Sequence, residues 1–511
     1  MTAFSRLSLI LATAVLYGLS FPPYGSALVA WVALVPFLLA MRGLSAATAL
    51  AWAWMSGLVM AYAITDFLPD AVATYYGQGA VFGLLLFVGS VSAMCCVSHM
   101  LFAAWVRRPG RGNGLLSPLL VAAAWVVAEF VRGDLEGNPW GTMGYTQARV
   151  LPMVQMAEWT GIYGVSFLLV AMNAAIADFV VAIRGRERLL PSLAKVGLAA
   201  SISVAAWISG AQRLAAVEAL PAGEVPIAVV QGNVDLGARW DRTLYGENLE
   251  GYLKQTSEAA HASGPEIEVP AMVFWPENAI TFFLDEEPLY RESIARVLQA
   301  NAMQLVTGGP HREGPGPRRI YNSAFVLSPS GDVLGRYDKR VLMPFAEYYP
   351  WWLELFLNRR FDGVREFSPG APSGPLLTVV GPATVVTCNE ALFPRTVVER
   401  SAEGGGFLVN LANDAWLGVH KYSDRVLDIV AMRSIEHRQY TVRASSSGGS
   451  AVVAPSGRVL VKSEPFAAQV LRARIGRRHD ATAYGRWGDV FVGLCALVLL
   501  LAAVREPGHA R

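Results

Sequence analysis

The sequence predicts two bodies of different kind: a polytopic α-helical membrane domain with eight transmembrane helices, and an α/β layered domain set in before the last helix. Three observations carry this. Seven apolar stretches follow one another before residue 215. From Pro226 they give way to short β-branched runs separated by helical stretches, and a last apolar run, Val490 to Val504, closes the chain. Across 511 residues only 16% are charged, 53% are hydrophobic and the mean hydropathy is +0.37. Charge this sparse, against the roughly 25% of soluble domains, places much of the chain in lipid. The boundaries that follow are 1–215 for the seven-helix membrane domain, 221–476 for the α/β domain and 487–506 for the eighth helix.

In order, the predicted spans are Leu7–Phe21, Ser26–Met41, Ala46–Leu68, Gly79–Val106, Leu115–Val131, Gly161–Ile183 and Leu193–Leu214. A span needs about 20 apolar residues, so the first two are marginal singly and convincing only in series. Leu7–Phe21 follows Arg6 like a signal peptide, yet no small-residue cleavage site comes after it, and it reads as a retained span. Arg6, Arg42, the Arg107-Arg108-Arg111 cluster and the Arg184-Arg186-Arg188-Lys195 cluster fall on one side of alternating spans. The opposite loops carry Asp66, Asp70, Asp134 and Glu136. The positive-inside rule then puts both termini in the cytoplasm and the α/β domain on the opposite, extracytoplasmic face of the membrane. Between the fifth and sixth spans Trp140 and Tyr145 read as interfacial anchors, with Glu129 paired to Arg132 at the interface. Val490–Val504 is short and needs Trp487 and tilt to cross. Arg472, Arg474, Arg477, Arg478 and Arg486 precede it on the external side: either the long translocated domain overrides the charge rule, or they bind acidic headgroups at the outer face.

The α/β domain reads as strands at Ile227–Gln231, Ala271–Trp275, Leu305–Thr307, Ser323–Leu327, Val333–Tyr337, Ala383–Thr387, Phe407–Leu411, Tyr440–Ala444, Ala451–Ala454 and Arg458–Lys462. Helices are predicted at Leu244–Ser263, Glu287–Asn301 and Ser423–Gln439. Three of the strands end in chemistry. Val273-Phe274-Trp275 runs into Pro276-Glu277, Val333–Tyr337 into Asp338-Lys339, and Thr384–Thr387 into Cys388-Asn389-Glu390. A carboxylate, an ammonium and a thiol are the parts of an activated nucleophile: base, oxyanion stabiliser and attacking group. A lone cysteine after an apolar strand is more often a small core residue, so it is the three contexts together that carry weight. Four cysteines (Cys95, Cys96, Cys388, Cys495) make no disulfide framework, and no His/Cys cluster has metal-ligand spacing. A formal net charge of +2 gives no polyanionic partner, and no nucleic-acid motif occurs. A Cys-His pairing is the rival, but His261, His311, His420, His437 and His479 sit in no recognisable catalytic context.

In order and in local sequence these motifs resemble the nitrilase (carbon–nitrogen hydrolase) superfamily from about Pro226 to Arg474, and the flanking spans narrow the resemblance to the membrane-embedded apolipoprotein N-acyltransferases. The resemblance implies an α-β-β-α sandwich and a catalytic triad of Glu277, Lys339 and Cys388. It also implies supporting carboxylates at Glu347 and Glu390, and lining of a lipid pocket by Trp240 and Trp416. Asn138 and Asn389 stand where the family has phenylalanine and tyrosine. The expected reaction needs no cofactor and no metal. It moves an acyl chain from a phospholipid, through a Cys388 thioester, to the α-amino group of a diacylglyceryl-cysteine on an apolipoprotein. The alternative is a membrane-anchored amidase with water as acceptor. The aromatic-rich stretch Pro344–Phe361, with Trp351 and Trp352, reads as a lid dipping into the interface.

Overall fold

The structure, a computed structural model, describes residues 1–107, 114–234, 242–261, 268–313, 319–349, 367–417, 420–478 and 481–505. The chain divides into two bodies. One holds Met1–Thr74, Gln78–Glu218 and the residues from Thr482 onward; the other holds Ala219–Ala481 with the three residues Tyr75–Gly77.

The first body is helical. Among the described residues four helices are long and apolar enough to cross a membrane: Ala3–Ser20, Ala46–Thr65, Ile162–Gly185 and Leu189–Glu218. Leu68–Tyr75 and Ala80–Met94 pass the same test only as a pair bent by 118°. Polar side chains start the first two long helices, Thr2 accepting from the Ser5 amide and Ser45 from the Thr48 amide.

Two predicted spans take a different form. Ser26–Met41 is not one helix but a 3-10 turn, Val29–Trp31, followed by the six-residue helix Val35–Ala40. Pro36 has no amide hydrogen and can only open a helix here. The backbone groups freed by the break are met by Asn173, on helix Ile162–Gly185. Its Oδ1 accepts from the Leu34 amide at 2.8 Å and its Nδ2 donates to the Ala30 carbonyl at 2.9 Å. Gly79–Val106 breaks at Cys95 (φ −140°) into Ala80–Met94 and Cys96–Val106. The Cys95 carbonyl is taken up by Ser98 Oγ at 2.7 Å and His99 Nδ1 at 2.9 Å. Broken helices persist in an apolar body only where side chains satisfy the freed groups. The Glu129–Arg132 pair expected at the interface is instead buried. Glu129 accepts from the Met143 amide at 2.6 Å, and Arg132 donates to Thr142 Oγ1 at 3.3 Å, so both hold the loop that carries Trp140.

The second body contains two six-stranded sheets. Its strands are β1 (Val225–Gln231), β2 (Met272–Phe274), β3 (Gln304–Arg312), β4 (Ile320–Leu327), β5 (Val333–Asp338), β6 (Leu376–Thr378), β7 (Gly381–Thr387), β8 (Phe407–Ala412), β9 (Thr441–Ser445), β10 (Ala451–Val453), β11 (Val459–Lys462) and β12 (Gln469–Ile475). One sheet runs β12-β1-β2-β3-β4-β5 and the other β11-β10-β9-β8-β7-β6. In each, three central strands are parallel, β1-β2-β3 and β7-β8-β9. Their inward faces share one core, with Val229, Phe274, Val306 and Val326 from the first sheet and Val385, Val409, Val442 and Val452 from the second. The outer face of the first sheet packs Val230, Val273 and Leu305 against Leu249, Tyr252, Ile294 and Leu298 of helices Tyr245–His261 and Pro288–Ala300. Helices Pro394–Ser401 and His420–His437 belong to the second sheet. Strands buried on both faces explain the continuous apolar runs.

Strands β6 and β12 were not predicted. β12 carries Arg472 and Arg474, whose guanidinium groups donate to main-chain carbonyls of Ala259 and of Glu224. Both arginines thus help to hold β12 in the fold.

Replacing Asn173 by leucine strands the Leu34 amide and the Ala30 carbonyl, at about 1–3 kcal/mol per buried group. The expected result is a lowered Tm for the purified protein in detergent, with helix content kept. An unchanged Tm would show that the break at Pro36 holds without Asn173.

Candidate active site

β2, β5 and β7 end at one place in the second body. Trp275, fully buried, anchors the exit of β2 through Nε1 to Thr256 Oγ1 at 2.9 Å. Glu277 follows two residues later. Its backbone passes so close to β3 that a Cβ on Gly308 would lie 2.6 Å from the Glu277 Cα, so no other residue fits there. Lys339 is the first residue after β5, with its amide donating to the Asn322 carbonyl at 2.8 Å. Cys388 is the first residue after β7 and sits in the left-handed region at φ 51°, a conformation that costs about 1–3 kcal/mol outside glycine.

The side chains converge. Lys339 Nζ lies 2.8 Å from Glu347 Oε2 and 3.6 Å from Glu277 Oε1. Asn322 Nδ2 donates to both carboxylates, at 2.7 Å each. The Asn413 amide donates to Glu277 Oε2 at 2.8 Å, and the Met343 amide to Glu347 Oε2 at 2.7 Å. The Cys388 thiol lies within hydrogen-bonding reach of Glu277. Glu277, Lys339, Glu347 and Asn322 are all buried, and Cys388 is half-buried.

Charge follows from this packing. Burial pushes Glu277 above the ordinary carboxylate value of 4.5, the Lys339 ammonium pulls it down, and Glu347 adds to the rise. Burial disfavours the Lys339 charge, but Glu347 and Glu277 more than offset it and hold the ammonium above its ordinary 10.5. Burial, then the Glu277 charge, push the Cys388 thiol well above its ordinary 9.0, against the pull of Lys339. At rest the group is thus a thiol facing Glu277 beside a fixed cation. Attack by sulfur requires its proton to pass to Glu277 as the new bond forms.

Glu390 does something else. Its Oε1 accepts from Tyr337 Oη at 2.8 Å and from the amides of Arg340 at 2.7 Å and Val341 at 3.0 Å. Its Oε2 accepts from the Thr387 amide at 2.7 Å, completing a capping box over the turn Cys388–Leu392. It ties the end of β7 to the segment after β5, holding the thiol's strand to the ammonium's. Trp240 and residues 350–361 of the aromatic stretch, Trp351 and Trp352 included, lie outside the described residues. So does the side chain of Trp416, whose backbone belongs to the turn Ala415–Leu417.

Asn322 stands in no sequence motif; the available signal was an asparagine next to Ser323 at the head of the apolar run Ala324–Leu327, since asparagine is depleted in strands and costly to bury unpaired. Among the described residues no group of three or more His, Cys, Asp or Glu is arranged to hold a metal ion.

Comparison with known proteins adds the following. Residues 226–483 match the carbon-nitrogen hydrolase family model, and residues 13–175 match the model of the apolipoprotein N-acyltransferase N-terminal domain. Apolipoprotein N-acyltransferase of Geobacter metallireducens is 33% identical over 508 residues, covering 97% of this chain and 95% of that protein. The enzyme of the same name from Bradyrhizobium diazoefficiens is 31% identical over 398 residues, 76% of this chain and 73% of that one. Among solved structures, an amidase of the nitrilase superfamily from Nesterenkonia AN1 aligns at 18% identity and a TM-score of 0.40, over 54% of this chain and 98% of its own.

The raised thiol value predicts how Cys388 meets an alkylating agent. A group that holds its proton above pH 9.0 is mostly thiol at neutral pH. Iodoacetamide labelling of the Cys388 peptide should be slow at pH 7 and still climbing as pH passes 9.0. A rate that levels off below that point, read by peptide mass, would mean the thiol is activated at rest.

Proposed function

The chain belongs to the apolipoprotein N-acyltransferase family, and from that membership we propose that it acylates the N-terminus of diacylglyceryl apolipoproteins, taking the acyl chain from a membrane phospholipid through a thioester on Cys388. The observation that carries the residue-level reading is the convergence of Glu277, Lys339 and Cys388 at three strand ends, with Lys339 Nζ 3.6 Å from Glu277 and the thiol against the same carboxylate.

In the first half-reaction Cys388 Sγ attacks the ester carbonyl of the phospholipid and Glu277 takes the thiol proton. Lys339 faces the tetrahedral oxyanion with a charge that needs no reorganisation. The C–O bond breaks, Glu277 passes the thiol proton to the departing oxygen so that the lysophospholipid leaves as an alcohol, and the acyl group stays on sulfur. In the second half-reaction the α-amine of the diacylglyceryl-cysteine attacks the thioester, Glu277 accepts its proton, and that proton returns to the departing sulfur. This is ping-pong catalysis on one nucleophile. Glu347 keeps Lys339 charged and placed, Glu390 holds the turn, and Trp240 and Trp416 are assigned to the lipid pocket by resemblance alone. The amidase alternative, with water as the acceptor, is not favoured by the family.

The protein is a multi-pass membrane protein. We assign 1–215 to seven spans, 221–476 to the catalytic domain on the extracytoplasmic face and 487–506 to an eighth span, with both termini cytoplasmic. Beside the four long helices, the count takes Ala80–Met94 with Cys96–Val106 as one span and adds Ser117–Phe130, Val29–Ala40 and Val490–Val504, the short ones crossing by tilt or local thinning of the bilayer.

Intact mass after incubation with phospholipid alone tests the chemistry. Wild type should gain one acyl chain, and lysophospholipid should appear in equal amount. Cys388→Ala should gain none while inserting normally, since loss of one small thiol costs within about 0.5–3 kcal/mol. An adduct on Cys388→Ala removes the nucleophile assignment, and fatty acid released in place of a stable adduct favours the amidase. Topology is read by compartment reporters fused at Gly223 and after Arg505, which should report opposite sides; the same side from both rejects the eight-span arrangement.

A further inference from the structure

Strand β8, Phe407–Ala412, is buried along its whole length, yet Asn410 stands in its middle. Its neighbour in register on β9 is Arg443, and on β7 it is Val386. Asn410 and Arg443 are both about 1% exposed. Two such side chains inside a parallel sheet are costly unless every polar atom is used.

The bonds run in one direction. Arg443 Nη1 donates to Asn410 Oδ1 and Nη2 donates to Asp414 Oδ2. Ser445 Oγ also donates to Asp414 Oδ2, at 3.0 Å. With its oxygen engaged by arginine, the Asn410 amide has one orientation left, and its Nδ2 donates to the carbonyls of Val386 at 3.3 Å and Cys388 at 3.2 Å. The Cys388 carbonyl belongs to the residue held at φ 51°. Glu390 grips the other side of that elbow through the Thr387 amide. Next to Asp414, the Asn413 amide donates to Glu277 Oε2 at 2.8 Å, so the same buried cluster also places the base.

A trans peptide points its C=O and N–H in opposite directions. Holding the Cys388 carbonyl therefore sets the direction of the Asn389 N–H, the amide that follows the thiol-bearing residue. We propose that Asn410, locked by Arg443 and Asp414, is a positioning residue that sets the Cys388–Asn389 peptide for thiol attack and for oxyanion binding. The inference rests on Cys388 being the acylated nucleophile.

The test is the rate of Cys388 acylation in the full chain, followed by quenched intact mass with palmitoyl-oleoyl phosphatidylethanolamine in mixed micelles. Wild type run alongside keeps the two readings apart: no adduct on wild type fails the nucleophile assignment, and only the ratio of variant to wild type bears on Asn410. Asn410→Asp keeps shape and the acceptor for Arg443 but removes the donor. Its acylation rate should fall by about tenfold to hundredfold, as small displacements near a reacting atom do, with the donor KM unchanged. A rate within about twofold of wild type, or a loss carried by KM alone, overturns the proposal. Asn410→Thr and Asn410→Val, equal in shape and both suited to a strand, give a second reading independent of the first. Threonine, with one O–H donor, should acylate at least tenfold faster than valine, and equal rates would leave Asn410 as packing alone.

Discussion

Lys339 carries a positive charge into a place closed to water, and Glu277 and Glu347 are held there to meet it. Two buried carboxylates without the ammonium would repel, and an ammonium without them would lose its proton; removing one member of such a set costs about 3–5 kcal/mol. The amides of Met343 and Asn413 and the side chain of Asn322 donate to the same two carboxyl groups. All of these donors are neutral and fixed, so Glu277 remains free to gain a proton while Lys339 does not lose one. That asymmetry between two neighbouring groups is the condition for acid–base work next to a permanent cation.

The sheets supply the three strand ends from which the cluster is built. β2, β5 and β7 release their chemical residues into turns whose geometry is enforced from outside: Gly308 lets β3 pass against Glu277, Glu390 caps the turn after β7, and Asn322 receives the backbone of Lys339. Positive φ at Cys388 is the strained element, and it survives because bonds to Thr387 and to Cys388 itself restrain both of its sides. In the helical body the same logic appears in an apolar setting. Asn173 meets the break at Pro36, and Ser98 and His99 meet the break at Cys95.

Apolar length, β-branched runs and the motifs at their ends were readable from residue order, because each depends on neighbours along the chain. Helix, strand and the place of Glu277, Lys339 and Cys388 at strand ends followed. Where a run holds an internal break, as at Pro36 and Cys95, hydropathy alone joined the pieces, since it counts apolar atoms and is blind to which side chain will satisfy a freed carbonyl. Strand β12 escaped because Arg472 and Arg474 interrupt its apolar pattern; their guanidinium groups are spent on distant carbonyls.

Asn322, Asn410 and Arg443 mark the other limit. Each looks like an ordinary polar residue in a strand, and each matters through partners far off in the chain: Glu277 lies 45 residues from Asn322, and Arg443 lies 33 from Asn410. A hydrogen bond of this kind is defined by direction and distance in space, which residue order does not contain. The carboxylate, the ammonium and the thiol were therefore legible one by one, as types at strand ends. Their charge states and the orientation of the thiol came only with burial, because a carboxylate, an ammonium and a thiol acquire their shifted proton affinities from being packed together out of water.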